Sequence, residues 1–118
     1  MIGVDIVEIK RVAHAAESEH FRSRVFTEKE LDYYESTGRR DETLAGFFCA
    51  KEAVFKALGS GINGLNFHEV EIDHLKSGAP VVHLYGKAKE IAAGLKAHVS
   101  ISHDAGTATA VCMLEVPK

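Results

Sequence analysis

The stretch Phe48-Cys49-Ala50-Lys51-Glu52-Ala53-Val54-Phe55-Lys56-Ala57-Leu58-Gly59-Ser60-Gly61 decides how the rest of the chain is read. At about 100° per residue, Leu44, Phe47, Phe48, Val54, Phe55 and Leu58 share one broad apolar arc. The segment from about Glu42 to Leu58 therefore reads as a long buried helix, stopped by Gly59. Lys51, Glu52 and Lys56 ride on it. Charge is costly to bury unless something pairs with it, so the helix calls for a salt bridge, a metal or an anionic ligand. Glu52 and Lys56 stand at i,i+4 in the favourable order, but such a pair contributes only about 0.2–0.5 kcal/mol.

Upstream of this helix, Ile2-Gly3-Val4-Asp5-Ile6-Val7-Glu8-Ile9 reads as a strand, with Gly3 marking a close backbone approach. A short helix over about Lys10–His20 follows. Thr27-Glu28-Lys29-Glu30 has the form of a capping box, starting a helix that runs to about Ser36. Downstream, His68 to Asp73 alternates polar and apolar residues as a half-exposed strand does. Ser77-Gly78-Ala79-Pro80 is turn chemistry, and Val81 to Tyr85 is the partner strand. A helix is expected over Lys87–Ala97, then strands over Val99–Ser102 and Thr107–Val116, joined by Asp104-Ala105-Gly106. The sum is an α+β protein, a mostly antiparallel sheet packed against a long central helix, in a single domain over residues 1–118.

The 118 residues carry a net charge of -3 and are 46% hydrophobic, the composition of a globular protein with little general affinity for nucleic acid. No apolar run approaches the ~20 residues of a membrane span, and the amino terminus lacks a leader pattern; a cytoplasmic location is expected. The two cysteines, Cys49 and Cys112, cannot build a disulfide framework and read as core residues. The seven histidines show no zinc spacing. Lys10, Arg11, Arg22, Arg24 and Lys29 make the first quarter locally basic, which suits either a solvated face or docking of an acidic partner.

Asp5 is unfavourable in an apolar strand. Alternation places Gly3, Asp5 and Val7 on one face and Val4, Ile6 and Glu8 on the other. A strand carboxylate and a helix carboxylate, Asp5 and Glu52, can converge on a hard cation. Two carboxylates suit magnesium, which completes its shell with waters and phosphate oxygens. Lys56 and the turn at Gly59-Ser60-Gly61 then stand where a phosphate needs positive charge and close backbone approach. Ser102-His103-Asp104 is not a hydrolytic relay, because neighbouring side chains on a strand point to opposite faces. His103 by itself is either a ligand contact or a hydrogen-bonded, partly buried histidine.

Three segments together resemble the holo-acyl-carrier-protein synthases, the small phosphopantetheinyl transferases. They are Gly3-Val4-Asp5-Ile6-Val7-Glu8-Ile9, Ala50-Lys51-Glu52-Ala53 through Lys56-Ala57-Leu58-Gly59-Ser60-Gly61, and Val99-Ser100-Ile101-Ser102-His103-Asp104. The resemblance implies transfer of the 4′-phosphopantetheine arm of coenzyme A to a serine of apo acyl carrier protein, with release of adenosine 3′,5′-bisphosphate, in fatty acid biosynthesis. It implies Mg2+ held by Asp5 and Glu52 together with the coenzyme A pyrophosphate. Lys56 is the implied phosphate ligand, with Gly59 beside it, and His103 the contact to the nucleotide portion. Either Glu52 or a metal-bound water takes the serine proton. The family fold is α+β, and its small members assemble as homotrimers with active sites between subunits.

The chain departs from the family pattern at Phe47, where many relatives carry an arginine. Arg39, Arg40 and Lys51 are the cations available to replace that anion contact. The first helix is also poorer in arginine, reading His14-Ala15-Ala16-Glu17-Ser18-Glu19-His20, so carrier-protein docking falls to Lys10, Arg11, Arg22 and Arg24. Two other classes fit the same residues: a coenzyme A or nucleotide-binding module without transferase activity, and a structural oligomer in which Glu52 and Lys56 form only a helix ion pair.

Overall fold

Because its side chains alternate in and out, the first strand can lay one edge of small and polar groups against a helix. In the computed structural model, which describes residues 1–59 and 64–117, that strand is β1, Ile2–Glu8. The chain continues through α1 (Ile9–Ala15), α2 (Glu19–Val25), α3 (Glu28–Ser36) and α4 (Asp41–Ala57). A 3-10 turn at Phe67–Glu69 leads to β2 (Val70–His74) and β3 (Pro80–Leu84), followed by α5 (Gly86–Ala92), β4 (Lys96–Asp104) and β5 (Thr107–Glu115). The α+β class and the antiparallel pairing agree with the sequence. The strands form two sheets, however, a three-stranded one in the order β1-β5-β4 and the hairpin β2-β3.

Three boundaries differ from expectation, each for a local reason. The first helix breaks after Ala15, and Ser18 caps a separate helix by accepting a hydrogen bond from Phe21 N at 3.2 Å. The helix expected to reach Ala97 ends at Ala92, because Ala93 and Gly94 adopt positive φ of 51° and 88°. β4 consequently begins at Lys96 and is longer than read. The capping box at Thr27 and Glu30 forms as expected, both side chains bonding reciprocally.

Helix α4 crosses the three-stranded sheet diagonally. Near its start, a Cβ on Gly46 would lie 3.2 Å from Ile101 Cγ2 of β4. Near its end, Gly3 of β1 lies so close that a Cβ there would fall on the Ala53 carbonyl oxygen and 2.5 Å from Ala57 N. The close approach read at Gly3 is therefore the contact that seats β1 under the helix. The covered sheet face carries Ala108, Ala110, Cys112 and Leu114, all buried with Val54 and Phe55 of α4. The opposite face is bare: Ile2, Val4 and Ile6 of β1 and Val111 and Met113 of β5 are exposed.

Candidate active site

The covered face of β1 and the outer stripe of α4 build the site. Along α4 from Leu44 to Leu58, only Phe48, Glu52 and Lys56 are not fully buried, and their i,i+4,i+8 spacing sets them in a row. Across from this row, Asp5 points from β1 toward the helix side, as its alternation with buried Gly3 requires. Lys56 Nζ lies 2.9 Å from Asp5 Oδ1 and donates a second hydrogen bond to the Val4 carbonyl at 3.0 Å. The intrahelical Glu52–Lys56 pair considered from the sequence gives way to this strand–helix pair.

Glu52 is half-buried. Burial foremost, and then the negative charge of Asp5, push its carboxyl above the usual range, with Lys56 pulling the other way. Two carboxylates that repel each other around one lysine are a donor set suited to a hard cation. Among the described residues no group of three or more His, Cys, Asp or Glu side chains gathers to hold a metal. Asp5 and Glu52 would leave most of an ion's shell to water and a phosphate ligand, a division that magnesium accepts.

Next to the pair opens a cleft of about 420 Å³ lined by Asp5, Glu8, Arg11, Phe21, Phe48 and Glu52 among others. Arg11 brings positive charge to its rim. Arg22, from the same basic strip, is committed elsewhere: its Nη1 donates to the carbonyls of Ala16 and Glu17 at 2.6 and 3.2 Å and so caps α1. Cys49, one turn before Glu52, is fully buried; burial first and Asp5 second push its thiol up to about 12, so it stays protonated.

His103 stands apart from this group. It lies on the covered face of β4 and lines a separate hollow of about 350 Å³ with Tyr33, Arg40, Thr43, Phe47 and Pro80 among others. Between it and Asp5 run β5 and the diagonal of α4. One chain therefore presents the expected residues as two separate groups, at opposite edges of the sheet. Gly59 takes φ of +83° just past α4, the left-handed stop that glycine permits. Ser60 and Gly61 lie outside the described residues.

Lys51, read from the sequence as a cation available for an anion contact, is instead wholly buried. Its ammonium lies 2.8 Å from Glu30 Oε1 and donates to the carbonyls of Val25 and Phe67 at 2.8 and 3.0 Å. All three of its protons are used. Glu30 in turn accepts from Thr27 N at 2.9 Å and Ile72 N at 2.8 Å. The charge that made the helix puzzling is thus a structural clamp, set one residue before Glu52.

Comparison with known proteins shows the family to which the chain belongs. Residues 1–112 match the 4′-phosphopantetheinyl transferase superfamily. The holo-[acyl-carrier-protein] synthase of Clostridium kluyveri is 46% identical over 121 residues, covering 99% of this chain and 90% of that protein. That of Clostridium perfringens is 45% identical over 97% of this chain and 92% of the relative. Among solved structures, Helicobacter pylori holo-[acyl-carrier-protein] synthase in complex with coenzyme A superposes with a TM-score of 0.85 at 32% identity, over 98% of this chain and all of that one. The Bacillus anthracis holo-(acyl-carrier-protein) synthase, in complex with CoA (3′,5′-ADP), gives 0.83 at 32% identity, over 98% and 96% of the two chains.

The chain belongs to the 4′-phosphopantetheinyl transferase superfamily. It is an enzyme of that class, and the relatives sharing nearly its whole length are holo-[acyl-carrier-protein] synthases.

Proposed function

We propose that this enzyme transfers the 4′-phosphopantetheine arm of coenzyme A to a serine of apo acyl carrier protein, with Mg2+, as a cytoplasmic step of fatty acid biosynthesis. The observation that carries the reading is the juxtaposition of Asp5, Glu52 and Lys56 beside an open cleft. Asp5 and Glu52 would hold the metal, which when bound neutralises the pyrophosphate and stabilises the departing bisphosphate. Lys56, half-exposed on its salt bridge, swings its ammonium onto phosphate oxygens as charge accumulates there. The serine oxygen attacks the phosphorus that carries the pantetheine arm. Its bond to the bridging oxygen breaks, and adenosine 3′,5′-bisphosphate leaves. The serine proton passes to Glu52 or to a water.

The reading extends to a homotrimer with its sites between subunits. Two features support it: the residues for metal and nucleotide stand at opposite edges of one chain's sheet, and the bare face holds Ile2, Val4, Ile6, Val111 and Met113 in contiguous register. A second copy set against β1 would bring its own β4 edge to the Asp5 cleft. Arg11 on the cleft wall, with Lys10 and Arg24 exposed elsewhere on α1 and α2, supplies the positive charge for an acidic carrier protein. Among the described residues no helix is long and apolar enough to cross a membrane.

The test is the intact mass of apo acyl carrier protein after incubation with coenzyme A and Mg2+. Gain of one phosphopantetheine group is expected with the native enzyme and no gain with Asp5→Ala or Glu52→Ala. Full activity in both folded variants would overturn the metal assignment. Coenzyme A binding without any mass gain would leave a binding module instead.

A further inference from the structure

We propose that Thr109 is a positioning residue for Asp5, aiming its carboxylate toward Glu52 by holding the Asp5 carbonyl from the other face of the sheet. The inference rests on the shared-cation reading of Asp5 and Glu52 above. Thr109 Oγ1 donates a hydrogen bond of 2.8 Å to the Asp5 main-chain oxygen. Its neighbours Ala108 and Ala110 are buried beneath α4, so alternation along β5 turns Thr109 to the bare face. Thr109 therefore acts on Asp5 through the backbone alone.

Asp5 sits on an edge strand, paired with β5 on one side only. The bonds from Leu114 N to the Met1 oxygen and from Ile9 N to the Gly106 oxygen fix the phase of that ladder. An even number of residues separates Asp5 from Met1 and from Ile9. Its main-chain groups therefore turn inward to Ala110, whereas those of Val4 turn to the open edge. Each peptide plane beside the Asp5 α-carbon then carries a side-chain bond of its own. Lys56 Nζ donates to the Val4 oxygen at 3.0 Å on one side, and Thr109 holds the Asp5 oxygen on the other. Because φ and ψ are the only soft angles between two such planes, fixing both planes fixes where the side chain points.

A hydroxyl at this place needs a reason. Ile6, its register partner on β1, and Val4, Val111 and Met113 make the surrounding face apolar. A hydroxyl covered there by another subunit is costly unless it is bonded, and valine is the better strand former. The bond to Asp5 is what the hydroxyl adds. It matters most when substrate arrives. In the transfer proposed above, half-exposed Lys56 leaves the strand for phosphate oxygens. Among the described residues, Thr109 is then the one side chain still bonded to the main chain at Asp5.

The experiment measures binding of Mn2+, a hard cation suited to the same oxygen ligands, by electron paramagnetic resonance with coenzyme A present. Thr109→Val keeps the branched shape and removes one hydrogen bond, so Mn2+ affinity should fall about 3- to 10-fold. Thr109→Ser, which restores the hydroxyl, should retain most of the native affinity. Native affinity in Thr109→Val, whatever its melting temperature, would overturn the assignment, as would an equal loss in Thr109→Ser. If the native protein binds no Mn2+, the shared-cation reading falls, and the cation-free backbone decides the role of Thr109. There the amide order parameter of Asp5, from nuclear magnetic resonance relaxation, should drop in Thr109→Val and recover in Thr109→Ser. An Asp5 amide in Thr109→Val as rigid as the native one would show that Thr109 holds nothing in place.

Discussion

The Lys51 ammonium lies 2.8 Å from Glu30 Oε1, with both side chains wholly shielded from solvent. Burial pushes Glu30 up and Lys51 down from their ordinary values, each toward neutrality, while their mutual attraction and hydrogen bonds oppose it. The pair ties α4 to the end of α2, the capping box of α3, the 3-10 turn and β2. Removing one partner strands the other charge in the core. Lys51→Met should therefore lower unfolding free energy by about 3–5 kcal/mol. The double variant Lys51→Met/Glu30→Gln should lose less than the sum of its singles. Urea denaturation measures both, and strictly additive losses would show that the two charges do not interact.

The contact of Gly3 with α4 yields a second expectation. A methyl group at Gly3 meets helix backbone at Ala53 and Ala57, which no rotamer change can relieve. Gly3→Ala should cost about 1–3 kcal/mol or more and push β1 away from the helix. If Asp5 on β1 and Glu52 on α4 share Mg2+, transfer activity should fall with Mg2+ affinity even in protein still folded at low temperature. Native Mg2+ dependence in that variant would argue that the carboxylates do not share an ion.

How much of this was legible beforehand follows the range of the interactions. Elements written in local chemistry were readable: the capping box at Thr27, the Gly59 stop, and the β1 alternation that turned Asp5 inward. Ser18 and Gly94 carried equally local signals, an N-cap and a left-handed stop, but a run of helix-compatible residues around each masked them. What no local pattern contains is the partner of Lys51, which approaches from α3, or the fate of Phe47, settled by rings from α3 and β2. Likewise Asp5, Glu52 and Lys56 could be grouped from residue type, whereas the separation of His103 from them depends on the strand order β1-β5-β4.

Lys56 offers a test of transition-state chemistry distinct from folding. Its bridge to Asp5 is half-exposed, so Lys56→Met should alter stability by no more than ~1 kcal/mol. If its ammonium stabilises the leaving phosphates, kcat should fall about 10²–10³-fold. A large drop in melting temperature with unchanged kcat would make Lys56 a structural residue only.

On the β2–β3 hairpin, Lys29 donates to Asp73 at 2.9 Å, and this hydrogen bond, the largest cause, holds the Asp73 carboxyl at about 2 against an ordinary 3.8. The folded value lies below the unfolded one, so the unfolded chain binds more protons in that window. Stability from this group is present above the unfolded value and is lost as pH falls through about 2. Lys29 is largely exposed, so solvent screening leaves only a small stabilisation. The stability difference between native protein and Asp73→Asn should shrink as pH drops from about 5 toward 2; a difference constant across that range would dismiss the linkage.

The two separate groups make the strongest demand on assembly. If each active site joins the β1 edge of one subunit to the β4 edge of the next, damage at the two edges is complementary. Asp5→Ala spoils the first edge, and His103→Ala spoils the second. Each homotrimer should be crippled. Unfolding and refolding an equal mixture should create hybrid trimers, each holding one site built from two undamaged edges. Random association then restores about a quarter of native sites, read as transfer activity per subunit. Val111→Glu, which puts charge on the bare sheet face, should prevent that recovery by keeping the subunits apart. A mixture no more active than its components, while sedimenting as trimers, would place the whole site within one chain and dissolve the shared-site reading.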